Sequence, residues 1–239
     1  MRDDLLDAYS AIDWAAAELR FFAEKFHMWK NAETGIRYLE AEAGKKVAVF
    51  QKNSQLPSIL NAGVGSIINS FRTALDLLAT ALARRNGVVH NRNIYFPIFR
   101  NESDFAEFLK KKEWLSQTES TILERLRPYD GGNSLLWSLH QLDIIRKHRR
   151  LLLIDVPTVK IILIGIGKRP RFLVEDDQNI ENNTPLFEIS SDTTLPEVGI
   201  DFNLIFREQC LPAVDGRPIF EVLADFRHTV TQTVDLFNV

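Results

Sequence analysis

Apolar residues recur at intervals of three and four over two long stretches of the chain, and these stretches predict its central helices. In the first, Ser58 to Arg85, the residues Val64, Ile68, Phe71, Leu75, Leu78 and Leu82 form one stripe along a 3.6-residue helix. Asn69, Arg72 and Asp76 border that stripe, with Arg72 and Asp76 four apart and able to pair across one turn. Pro57 suits the start of this helix, and Arg84, Arg85, Asn86 and Gly87 supply the cations and the glycine of a carboxyl end. The second stretch, LLWSLHQLDIIRKHRRLLL from Leu135 to Leu153, reads as a helix with Asp143, Lys147 and Arg150 on one side and His140, Ile144 and His148 on another.

The same periodicity predicts a first helix from about Asp3 to Lys30, carried by Leu5, Tyr9, Ile12, Ala16, Leu19, Ala23 and Phe26. Two short alternating runs around Ala43-Gly44-Lys45 predict a β-hairpin. VVHNRNIYFPIFR, from Val88 to Arg100, lacks helical spacing and carries Pro97 within an aromatic run, so it reads as an extended crossing. Ser103 or Asp104 caps a short helix, and Ser116 to Arg127 forms another that stops before Pro128. Asp130-Gly131-Gly132-Asn133 is a turn. VKIILIGIG, FLVE, PLFEI and the alternation Ile200, Phe202, Leu204, Phe206 predict strands, and Ile219, Leu223, Phe226, Val230 and Phe237 predict a last helix. The expected fold is α+β. A helical core of 1–155 plus 219–239, with up-and-down helices, carries a β-rich insertion, 156–208. An antiparallel sheet joins the 33–52 hairpin to the 156–208 region, in one domain.

Composition narrows the function. With 239 residues, 45% of them hydrophobic, the chain can bury about 70% of its unfolded surface. A formal charge of -3 and a pI near 6.0 give no overall pull toward nucleic acid or anionic lipid, so a polyanion site has to be a local basic patch. One cysteine, Cys210, excludes an intramolecular disulfide framework. The first residues, MRDDLLDAYS, lack a secretory signal, and no apolar run approaches a membrane span, which together imply a cytoplasmic protein.

Candidate chemistry gathers on the two central helices. Arg146, Lys147, His148, Arg149 and Arg150 crowd about one and a half turns beside Asp143, which is costly unless they face water, a partner or carboxylates such as Asp76. Arg72, Asp76, Asp143, Lys147, His148 and Arg149 are therefore expected to form either an internal polar network or a local anion site. The five histidines show no HExxH spacing, and His140 and His148 lie about 12 Å apart along one helix, too far for a shared ion. No phosphate loop and no GxSxG occurs, and no metal or cofactor is implied.

FRTALDLLATALA, YFPIF, LERLRPY and LHQLDIIRKHR, in that order and followed by strands and a final helix, resemble a bacterial family of unassigned activity. Its members carry an LRSALDHLA-like helix, an FPI segment, a QPY-like turn and a DKHR-like helix. The matching positions are Arg72, Leu75 and Asp76; Phe96, Pro97 and Ile98; Pro128 and Tyr129; and Asp143, Lys147, His148 and Arg149. Leu77 stands where that pattern often has histidine and Arg146 where it often has aspartate, so a catalytic group built on those positions would be missing here. A second, shorter resemblance is to the HEPN superfamily of helical bundles, which includes RNA-cutting toxins and nucleotide-binding proteins. Arg85-Asn86-Gly87-Val88-Val89-His90 matches its Arg-to-His spacing. That resemblance implies a metal-independent endoribonuclease or toxin using Arg85 and His90, with His148 as a further candidate, and paired subunits. Three functions are thus expected. The first is a non-catalytic binding or assembly module, self-associating, around a polar cluster. The second is the ribonuclease, acting on RNA, and the third is a small anionic-ligand pocket for nucleotide or phosphate floored by Lys147 and Arg149.

Overall fold

The computed structural model describes residues 2–88, 94–156, 160–164 as backbone, 171–173, 181–192, 195 and 197–238. It is α+β and mainly helical. A 3-10 turn leads into α1 (Leu6–Glu33), followed by the hairpin β1 (Thr34–Ala41) and β2 (Lys45–Lys52) and by α2 (Ser58–Arg85). Then come α3 (Glu102–Lys111), α4 (Gln117–Leu126) and α5 (Ser134–His148), the strands β3 (Ile154–Asp155), β4 (Lys160–Ile164), β5 (Arg171–Phe172), β6 (Pro185–Ser190), β7 (Glu197–Asp201) and β8 (Ile205–Phe206), and finally α6 (Ile219–Leu236). Among the described residues no helix is long and apolar enough to cross a membrane.

These residues gather into two compact units, one of Met1–Phe22, Asn61–Leu153 and Phe206–Val239, the other of Ala23–Leu60 and Ile154–Ile205. In the first, the predicted α2 stripe is the core: Val64, Ile68, Phe71, Leu75 and Leu78 are fully buried, as are Leu136, Leu139 and Leu142 of α5 and Val222, Leu223 and Val230 of α6. Gly63 lies where an added Cβ would meet the Phe22 ring at 3.3 Å, so α1 and α2 approach closely there. In the second unit, Phe26 and Trp29 of α1 pack edge-on against Phe202 at 5.8 and 6.2 Å between centroids.

The second unit's four-stranded sheet has the order β1-β2-β6-β5, antiparallel throughout. Register aligns Tyr38, Ala48, Phe187 and Phe172 across it, so the Tyr38 and Phe172 rings flank Phe187 at 6.3 and 6.1 Å. The hairpin turns at Ala43 and Gly44, whose φ angles of 58° and 65° are left-handed. β4 pairs with β7 and β3 with β8 as separate two-stranded ladders, so the 156–208 strands do not all join the hairpin's sheet. The alternation expected from Ile200 to Phe206 is interrupted, because Phe202 leaves the ladder after Asp201 and turns its ring to Phe26 and Trp29.

Three helix ends also differ from expectation. Asn101, not Ser103 or Asp104, caps α3, its Oδ1 accepting from the Asp104 amide at 2.8 Å. α1 runs on to Glu33, past His27 and Trp29. α5 stops at His148 rather than Leu153. The amides of Arg149 and Arg150 both donate to the Ile145 carbonyl, at 2.9 and 3.1 Å, and Glu208 then takes the Arg150 guanidinium at 2.8 and 3.0 Å and the Leu153 amide at 2.8 Å.

Candidate functional site

α2 supplies the first half of the site from one i, i+4 pair. Arg72 and Asp76 form an ion pair of 2.8 Å, with the Arg72 side chain 6% exposed and that of Asp76 26%. Both also hold one residue of the extended 94–100 segment: the Phe96 amide donates to Asp76 Oδ1 at 2.9 Å and the Phe96 carbonyl accepts from Arg72 Nη2 at 3.0 Å. A buried loop needs partners for its backbone polar groups, and this pair provides them for Phe96. The next residue, Pro97, has no amide hydrogen to satisfy.

The other end of that segment is tied to the turn after α4. The Phe99 amide donates to the Pro128 carbonyl at 2.9 Å, and the Asp130 amide donates to the Phe99 carbonyl at 3.2 Å. Arg127 adopts a left-handed φ of 49°, and its carbonyl accepts from Tyr129 and Asn133, both at 2.8 Å. Gly132 is required for this turn: a Cβ there would lie 2.3 Å from the Arg127 carbonyl oxygen. Tyr129 is buried and donates through its hydroxyl to Glu102 at 3.0 Å.

α5 supplies the second half. Asp143, its side chain 5% exposed, takes Arg146 at 3.2 Å and Lys147 at 2.6 Å. Arg146 reaches across to α2, donating to Asn69 Oδ1 at 2.5 Å, and its stem lies over Gly65, where an added Cβ would come within 3.2 Å of it. Arg72, Asp76, His140, Asp143, Lys147 and His148 then line one cleft of about 400 Å³, with Phe96, Phe99, Phe108, Trp114 and, at the exposed rim, Tyr95. His140, Asp143, Ile144, Lys147 and His148 share that face. Steps of three and four keep them within one helical stripe, which corrects the expected division into two sides.

Burial dominates the electrostatics here. It pulls the Arg72 guanidinium below the ordinary arginine range against the attraction of Asp76 and Asp143, and it raises the Asp76 carboxyl against Arg72, the Phe96 amide and Lys147. His140 is lowered to about 4, first by burial and then by Arg72, so its imidazole is neutral at pH 7. Two buried nitrogens at the cleft, Arg72 Nη1 and His140 Nδ1, have no hydrogen-bond partner among the described residues.

The remaining candidates lie elsewhere. Arg149 is exposed at the carboxyl cap of α5 and does not line the cleft, whose cationic floor beside Lys147 is Arg72. Arg85 ends α2 and is engaged with Asp4 at 2.9 Å, the Phe237 carbonyl at 3.1 Å and Glu119 at 3.4 Å. His90 lies outside the described residues. Sequence reasoning missed Trp114, Phe108 and Tyr95 as lining, because Tyr95 and Trp114 lie between helices, where no periodic signal exists, and the spacing of the short α3 does not say what its Phe108 faces. It weighed His140 only as a metal ligand, which the distance to His148 excludes, and not as a buried neutral ring of the cleft. Glu119, which accepts from Asn86 at 2.7 Å and from the Ser116 amide at 2.8 Å, had a legible signal in the Ser116-x-x-Glu119 capping box. Compared with family models, with curated proteins and with solved structures, the chain matches none.

Proposed function

We propose that the chain is a binding module whose α2–α5 cleft takes a small molecule, the polar cluster serving recognition and not turnover. The observation that carries this reading is Arg72: the residue is 5% exposed and lines an open cleft, and its Nη1, itself buried, has no acceptor among the described residues. A buried donor left unmade costs about 1–3 kcal/mol, and an acceptor that reaches Nη1 on a small shift of the guanidinium removes that cost. The volume of about 400 Å³ lies in the range of roughly 300–1,000 Å³ common for small-molecule sites. A half-buried aromatic wall beside a few fixed polar groups is the usual composition of such sites.

The four segments that carry the family resemblance support the same reading. Arg72 and Asp76 hold Phe96, Phe99 bridges to the Pro128–Tyr129 turn, and Asp143, Lys147 and His148 face the cleft from α5. A thermal-shift screen of chemically diverse small molecules checks the proposal. One chemical class should raise the melting temperature saturably, and the Arg72→Lys variant should lose that response. A uniformly flat screen across anionic, neutral and cationic compounds would remove the reading.

A further inference from the structure

The charges on the cleft wall are already matched. Among the described residues its charged lining is Arg72 and Lys147 against Asp76 and Asp143, two cations to two carboxylates. Asp76 Oδ1 takes Arg72 at 2.8 Å and the Phe96 amide at 2.9 Å, and Asp143 takes Lys147 at 2.6 Å and Arg146 at 3.2 Å. His140, neutral through burial and Arg72, adds no charge. An ion entering this cleft gives up its hydration and finds no uncompensated charge to pair with, whereas an uncharged ligand loses little on entry. On each helix a polar atom is still open to a ligand without rearrangement. Asp76, its side chain 26% exposed, keeps Oδ2 at the surface with no hydrogen-bond partner among the described residues. Lys147, 40% exposed, has three ammonium hydrogens and one partner, Asp143. The cleft thus offers an acceptor from α2 and a donor from α5, near enough for the Lys147 charge to act on the Asp76 carboxyl.

The rest of the wall is aromatic. Phe108 stands between Phe99 and Trp114, with ring centroids 5.2 and 6.1 Å away and tilts of 41° and 60°. All three rings line the cleft half-buried, and their tilts make a cupped surface that suits one flat ring system better than a flexible chain. The volume of about 400 Å³ has room for a fused pair of rings.

Resting on the reading of the cleft as a binding site, we infer that its ligand is an uncharged planar heteroaromatic of one or two rings, whose edge carries an N–H donor and a carbonyl acceptor. The N–H donates to Asp76 Oδ2, the carbonyl accepts from Lys147 Nζ, and the ring lies against Phe108 and Trp114. The test uses the full chain and isothermal titration at about pH 8, above the usual histidine range. The probes are 2-quinolone, its N-methyl derivative, which lacks the donor, 2-naphthoate as anion, 2-naphthylmethylammonium as cation and tryptophan as zwitterion. 2-Quinolone should bind saturably and about tenfold or more tighter than the other four. Lys147→Met, which leaves Asp143 paired with Arg146, and Trp114→Ala should each weaken 2-quinolone by a similar factor while melting within a few degrees of the parent. A charged or zwitterionic probe binding tighter than 2-quinolone overturns the uncharged ligand and leaves the cleft standing as a site. The N-methyl derivative binding as tightly overturns the donor edge, and 2-quinolone binding unchanged by either variant overturns its placement. No binding by any of the five overturns the inference, and a flat small-molecule screen besides takes the parent reading down as well.

Discussion

His140 shows how one buried ring couples the cleft to pH. Its folded value of about 4 lies below the ordinary 6.5, so on acidification the unfolded chain takes up this proton before the folded one does. The stability that a neutral His140 contributes is therefore present above about pH 6.5 and is lost progressively as pH falls toward 4. Asp76, raised by burial, works in the opposite sense at the acid end of that window. A His140→Phe variant isolates the imidazole: between about pH 7.5 and 5 its melting temperature should fall less than that of the parent chain. Equal slopes in the two proteins would show that the ring is not held neutral. The helical spacing put His140 on α5, but its neutrality follows from burial beside Arg72, which no window of sequence displays.

At the scale of elements, one pair on α2 positions a whole crossing segment. Arg72 and Asp76 are both shifted mainly by burial, so their attraction does not fully offset the cost of taking them out of water. Their role is positional, holding the Phe96 amide and carbonyl at once. The two partners should respond unequally to removal. Asp76→Ala strands a guanidinium that cannot deprotonate and an unpaired Phe96 amide, and should cost about 3–5 kcal/mol. Arg72→Met leaves a carboxylate that is 26% exposed and can take up a proton, so it should cost nearer 1–3 kcal/mol. Urea denaturation of the two variants measures both, and the reverse order would mean that Arg72, not Asp76, is the better solvated partner in the folded chain. The i, i+4 spacing made the pair legible in the sequence, whereas its acceptor, a carbonyl 24 residues further along, was not.

At the scale of the molecule, the chain leaves the helical unit after Leu153 and returns to it at Phe206, and within that unit the two chain ends are tied to each other. The Arg207 amide donates to the Leu153 carbonyl at 2.9 Å, and the buried Glu208 carboxylate accepts from the Leu153 amide and from both terminal nitrogens of Arg150. This is a bidentate pair with one side chain fully buried and the other 43% exposed. Glu208→Gln keeps an acceptor for Leu153 but gives up the charge, and Arg150 can return to water. The expected loss is about 1–3 kcal/mol, read as a lower urea midpoint with an unchanged slope. A variant as stable as the parent would remove the tie from the account.

What the sequence determined by itself was periodicity and punctuation. The stripe Val64 to Leu82 required a buried helix, Ala43-Gly44 a hairpin turn, Ser116 with Glu119 a capped start, and Pro97 an extended crossing, because each follows from contacts within a few residues. Only tertiary structure decided that Phe96 sits in the grasp of Arg72 and Asp76, that α5 ends at His148 where Glu208 takes Arg150, and that Phe202 abandons its strand to join Phe26 and Trp29. Those outcomes depend on desolvation and on hydrogen bonds between residues far apart in the chain, whose energies have no local signature.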